Sequence, residues 1–333
     1  MVELRRWFLG AGCSYFSTLV KTTAARTKLA KAMYAFVTKY NADGIDLDWE
    51  YPGSQGIGCN KISTADSANL LLFLKELRTV FGTTQLITAA VATSTFTGAN
   101  GSPLKDVSAY ADYLSYINLM TYDLVGTWDT YSSSASPLRT CGSDASATSA
   151  VAAWTAAGFP ASKILLGIPA YATSFTTKSS TLATTTIDGY KTKIRQKISK
   201  TIPKGDSSDS KASGTDVCGV KSSGYSGQYL QKELISEGLL SSDELTGKGG
   251  YQRVWDTCTQ TPFLFSKTKK HFITYEDSKS VAQKVSWARK KGLAGVMLFD
   301  TTGFTSAVYK VIEDNLSASV SKRHFNLGSL SHD

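Results

Sequence analysis

Histidine is scarce in this 333-residue chain: His271, His324 and His332 are the only three, and the last two fall in the polar C-terminal stretch. A Ser-His-Asp relay needs an imidazole beside its nucleophile, so that chemistry and a histidine-rich hydrolytic metal centre are poorly served. None of the five cysteines is spaced C-x-x-C, which removes the common zinc framework. No apolar run approaches eighteen residues, so no membrane-spanning helix is encoded. There is no phosphate-binding P-loop, and the glycines at 247–250 do not lead from a strand into a helix. The expectation is chemistry carried by side chains alone, with no cofactor and no metal.

The net charge of +9 and a pI near 9.1 raise the question of nucleic acid. The basic residues fall in short scattered groups, at 191–200, 267–270 and 289–291, between ordinary helix and loop signals. That pattern reads as a solvated surface, without nucleic-acid or membrane partners. The length suits one large core, or one barrel with an insertion, in a monomer. Cys13 with Cys59 and Cys218 with Cys258 are plausible disulfides, leaving Cys141 over. Sequons at Asn100 and Asn315 add a hint of secretion, yet the stretch after Trp7-Phe8-Leu9 is too polar for a leader.

The most informative stretch is Asp43-Gly-Ile-Asp-Leu-Asp-Trp-Glu50, followed by Tyr51-Pro52-Gly53. As a strand it places Asp46, Asp48 and Glu50 on one face, with Ile45, Leu47 and Trp49 on the other. Groups two apart on a strand are roughly 6.6 Å apart. At an effective dielectric near 20 two charges there repel by about 2.5 kcal/mol, nearly two pKa units. At least one of the three carboxyls is therefore expected to hold a proton near neutrality, as a general acid must.

D-x-x-D-x-D-x-E running into Tyr-Pro resembles the signature of glycoside hydrolase family 18, the chitinases and their relatives. The resemblance implies a (β/α)8 TIM-type barrel with the motif on the fourth strand and Glu50 at its C-terminal end, where such barrels gather their chemistry. It also implies Glu50 as general acid/base. Asp48 would hold the substrate's acetamido N–H, Asp46 would share a proton with it, and Asp43 would support the strand's start. A second family signature is similar to Met120-Thr-Tyr122-Asp123, with Trp128 soon after. Tyr122 would orient the acetamido oxygen and Asp123 would bind a sugar hydroxyl. Met120, Tyr51, Trp128 and Arg253 are candidate substrate contacts. Where relatives end their eighth strand with a tryptophan floor this chain has Phe299, which offers less area and no indole N–H.

The spacing predicts a helix over 22–40, with Ala25, Leu29, Ala32, Met33, Phe36, Val37 and Tyr40 inward, and another from 64 or 66 to 81. Strands are expected at 86–91, 117–123, 164–168 and 294–299, and helices at 145–157, 280–291 and 306–316. With the motif strand these match the family's fourth to eighth strands. The 42 residues before the motif hold one helix and no clear strand, so the barrel reads as N-terminally incomplete, a shortened isoform or an incomplete gene model of a secreted protein. The organisation expected is barrel over 1–171, a small α+β insertion over 172–275 before the last strand, barrel again over 276–318, and a polar tail over 319–333. Two functions follow from the resemblance. One is retaining, substrate-assisted hydrolysis of chitin or chito-oligosaccharides outside the cell; the other is chitin binding without turnover.

Overall fold

The computed structural model describes residues 2–4, 15–56, 58–142, 145–215 and 218–325. In chain order its principal elements begin with β1 (Val2–Leu4), α1 (Thr23–Lys39), β2 (Gly44–Leu47), α2 (Asp66–Phe81), β3 (Leu86–Val91) and β4 (Tyr116–Leu119). They continue with α3 (Ala147–Ala156), β5 (Ile164–Pro169), β6 (Tyr171–Thr176), β7 (Gln228–Leu230), β8 (Gln252–Asp256), β9 (Thr261–Ser266) and β10 (His271–Thr274). The last are α4 (Ser278–Lys290), β11 (Gly295–Phe299) and α5 (Ser306–Phe325). The chain divides into two compact units. The first holds Met1–Thr121, Thr148–Leu166 and Ser213–Ser223; the second holds Tyr122–Ala147, Gly167–Ala212 and Gly224–Asp333.

The first unit is built on parallel strands in the order β1-β2-β3-β4-β5. Strand β2 is buried throughout, as a central parallel strand with covered faces must be. Its glycine has a steric cause: a Cβ on Gly44 would sit 2.0 Å from the Leu86 carbonyl oxygen, where β2 begins its pairing with β3. Helix α2 opens at Asp66 and buries Leu70, Phe73, Leu74, Leu77 and Phe81.

Two expectations change here. The segment before the motif does contain a strand, β1, three residues long and paired in parallel with Val2 opposite Ile45. It is too short to leave a periodic signature. Helix α1 is rotated from the expected face: Arg26, Ala30, Met33 and Val37 are buried, while Phe36 and Tyr40 stay exposed. Arg26 turns inward because its guanidinium donates to the Val20 and Lys21 carbonyls and to Thr23 Oγ1.

In the second unit, five antiparallel strands run in the order β7-β6-β10-β9-β8. One face of this sheet buries Phe175, Phe263, Phe265 and Phe272, and the other buries Leu264, Ile273, Tyr229 and Leu234. Helices α4 and α5 pack Val281, Val285, Val308 and Ile312 around Ile168 and Phe304.

The cysteines pair differently from the expectation: Cys59 with Cys218, and Cys141 with Cys258, each with Cα atoms 5.5 Å apart. The bridges span 159 and 117 residues, contacts that spacing in sequence cannot reveal. Cys13 lies outside the described residues.

Candidate active site

In the first unit the motif is carried by β2 and the chain just past it. Asp43 is exposed ahead of the strand, and its carbonyl accepts from the Leu86 N–H at 2.9 Å. Asp46 is buried at 5% exposure. Its Oδ1 accepts from Thr88 Oγ1 on β3 and from Asn118 Nδ2 on β4, the latter at 2.8 Å. The hydrogen-bonded ladder ends at Leu47, so Asp48 and Glu50 stand beyond it, both half-buried. The apolar alternation nevertheless continues: Trp49 is buried and stacks on Phe16, centroids 5.4 Å apart. Tyr51 is half-buried and its carbonyl accepts from Ser54 N–H at 3.2 Å. Met120, past the end of β4, is half-buried and donates its N–H to the Val91 carbonyl at 2.9 Å. Thr88 and Asn118 were missed by sequence reasoning. Their signal was there, a polar side chain inside an otherwise apolar strand at each place.

In the second unit three rings meet. Tyr122 stacks on Phe299, and Tyr171 stands edge-on to both. Asp123 follows with φ of 54°, in the left-handed region that Asp tolerates better than most residues. A pocket of about 490 Å³ is lined by Asp123, Tyr171, Phe299 and Asp300, with Asp206 and Gln228 among its other walls. Burial of Asp206 does not leave it unsatisfied: it accepts from Ser208 and from the Leu230 N–H. Asp209 is held below the usual carboxylate range by the N–H groups of Ser226, Gly205 and Gly227, which outweigh its desolvation. Tyr171 was not singled out from sequence, because a tyrosine opening a strand has no distinguishing pattern.

Trp128 and Arg253 do not line that pocket. Trp128 is 69% exposed, its ring lying where a Cβ on Gly126 would be 2.2 Å away. Arg253 is engaged by buried Asp277, the N-cap of α4, at 2.5 Å. Among the described residues no group of His, Cys, Asp and Glu could hold a metal ion.

The parallel strands of the first unit, with acidic groups at and beyond the end of one, place the chain in the TIM-type α/β class. The chain belongs to the glycosyl hydrolases family 18, whose sequence profile matches residues 9–303. It is 39% identical over 305 residues to a chitinase-like effector of Moniliophthora roreri, spanning 88% of this chain and 71% of that one. To Chitinase A1 of Niallia circulans it is 30% identical over 321 residues, spanning 91% of this chain and 40% of the relative. Among solved structures, a chitinase from Rhizomucor miehei superposes with a TM-score of 0.82 at 31% identity, over 91% of this chain and 81% of that one.

Proposed function

We propose that this protein cleaves β-1,4-linked N-acetylglucosamine polymers with retention, using the substrate's own acetamido group as nucleophile and Glu50 as proton donor. Glu50 gives its proton to the glycosidic oxygen as the acetamido carbonyl oxygen attacks the anomeric carbon. The glycosidic bond breaks and a cyclic oxazolinium ion forms. Water then opens the ion, returning a proton to Glu50. Most retaining glycosidases use a carboxylate nucleophile instead, and this family is an exception. Asp48 is assigned to the acetamido N–H, Asp46 to sharing its proton, and Tyr122 to orienting the acetamido oxygen, all on the resemblance. Asp123, Tyr51, Met120 and Phe299 are assigned to sugar contact, with Trp128 and Arg253 outside the pocket of the second unit.

The observation that carries this reading is the setting of Asp46. Two neutral donors fix the buried carboxyl group of Asp46, two residues before Asp48 on the same chain segment. Two disulfides, and relatives named chitinases, support action outside the cell. No described helix is long and apolar enough to cross a membrane.

Chitin binding without turnover is the second reading. It is favoured by Phe299 in place of the expected tryptophan and by the name chitinase-like effector carried by the Moniliophthora roreri relative. Turnover of chito-oligosaccharides by this chain and by Glu50→Gln separates the two. Loss of turnover in the variant supports the hydrolase, equal nonzero release removes Glu50 from its role, and binding without any release supports the second reading.

A further inference from the structure

Glu50 stands beyond the last ladder residue of its strand, so pairing with β3 does not fix its backbone. Something else must hold it, because a proton donor misplaced by about 1 Å can lose on the order of 100-fold in rate. Gly56 and Asn60, further along the chain, come back against it. Asn60 Nδ2 donates to the Glu50 carbonyl oxygen at 2.7 Å. A Cβ on Gly56 would lie 2.1 Å from that same oxygen and 3.1 Å from Asn60 Nδ2, so only glycine admits this approach. Gln55 Nε2 donates to the Gly58 carbonyl at 2.7 Å, closing the fold of the loop.

The Asn60 amide has one orientation here, since its oxygen turned toward the Glu50 carbonyl would set two acceptors against each other. Its Oδ1 is buried with no hydrogen-bond partner among the described residues. The side chain's hydrogen bonding is therefore spent on Glu50. The residue before it, Cys59, is bridged to Cys218 from a segment 159 residues further on, within the same unit. A loop outside regular structure opens more readily than a packed element, and a covalent tie at its end limits that opening.

Resting on the reading of Glu50 as proton donor, we propose that Asn60 is a positioning residue for Glu50 and that the Cys59–Cys218 bridge keeps it in place. The effect belongs to the chemical step and not to sugar affinity. The test measures kcat and KM on a chito-oligosaccharide for Asn60→Leu, for Cys59→Ser with Cys218→Ser, and for the three together. Asn60→Leu keeps the branched heavy-atom layout without the donor, in a bulkier side chain. Its kcat should fall about tenfold to 100-fold with KM within about twofold. The bridge-free chain should show the same split, and the triple variant should be no slower than the slower of its parents. Unchanged kcat in Asn60→Leu, or a rise in KM alone, overturns the positioning role. Independent multiplication of the two effects overturns the link to the bridge.

If the bridge-free chain does not fold, a crystal structure of Asn60→Leu decides in its place: the 51–60 loop should leave Glu50 while the bridge stays formed. An unmoved Glu50 carbonyl there sinks the inference whatever the activity. A wild-type chain without turnover whose Glu50 is displaced in Asn60→Leu sinks only the proton-donor reading.

Discussion

The ring of Phe299 lies against that of Tyr122, centroids 5.8 Å apart and planes 18° from parallel. Tyr171 closes the group edge-on, 6.3 Å from Tyr122 and 6.2 Å from Phe299. Phe299 therefore backs the ring proposed to orient the substrate's amide, in addition to its own proposed contact with a sugar. Aromatic pairs of this kind contribute about 0.5–1.5 kcal/mol beyond their buried area. Phe299→Ala should weaken chito-oligosaccharide binding several-fold and lower kcat as well, since Tyr122 loses its backing. Phe299→Trp should tighten binding by up to about tenfold. Calorimetric titration reads both, and unaltered affinity in the two variants would remove Phe299 from the sugar site.

Thr88 and Asn118 share one oxygen of Asp46. Hydrogen bonds to charged groups contribute about 1.5–3 kcal/mol, and Thr88 is only 1% exposed, so solvent cannot replace it. Thr88→Val keeps the shape and removes the hydroxyl. It should cost about 1–3 kcal/mol in a urea titration and reduce turnover more than affinity. A variant as stable and as active as the wild type would mean Asp46 is held by other means.

Strands β2 to β5 and helices α2 and α3 were legible because burial leaves plain apolar runs, whereas β1 is too short to leave one. The end of the motif strand was not legible. Asp48-Trp-Glu50 keeps the alternation of a strand without its ladder, because Trp49 finds its own partner in Phe16. The face of α1 was misplaced because Arg26 counts as polar in any periodicity, yet three nearby oxygens make its burial tolerable. The cysteine pairing depended on tertiary proximity alone. The acidic motif itself was plain, whereas Tyr171, Thr88 and Asn118 became meaningful only once their neighbours were in place.

His271 is buried, its Nδ1 2.7 Å from the Tyr251 hydroxyl. Desolvation, helped by Lys269, lowers its pKa from 6.5 to about 4. Below about pH 6.5 the unfolded chain binds a proton here that the folded chain refuses, so stability present above 6.5 is lost progressively as pH falls toward 4. The loss amounts to about 3 kcal/mol. His271→Phe leaves the Tyr251 hydroxyl without this partner, which is a pH-independent cost, but should flatten that part of the curve. Parallel stability curves for wild type and variant between pH 4 and 6.5 would rule the group out.

Cys141–Cys258 closes a loop of 117 residues inside the second unit. Opening a native bridge of this kind typically costs about 2–5 kcal/mol. Cys141→Ser with Cys258→Ser should lower the melting temperature by several degrees. Peptide mapping without reduction should recover Cys59 joined to Cys218 and Cys141 joined to Cys258. Recovery of Cys218 joined to Cys258 would contradict the fold as well as the pairing.

Lys284 is fully buried and donates to Glu276 Oε1 and to the carbonyl and hydroxyl of Ser136. Burial pulls its pKa down and pushes that of Glu276 up, and each charge opposes the shift of the other. Breaking such a pair from one side leaves a buried charge uncompensated, whereas replacing both partners by apolar groups can be neutral or better. Lys284→Met alone should therefore cost about 3–5 kcal/mol, partly relieved at low pH as Glu276 takes up a proton. Lys284→Met with Glu276→Leu should recover part of that. About 1–3 kcal/mol should remain lost, because Ser136 no longer accepts from the Lys284 ammonium. Chemical denaturation of the two variants decides the point: a double variant less stable than Lys284→Met would show that the pair supports the fold by more than mutual neutralisation.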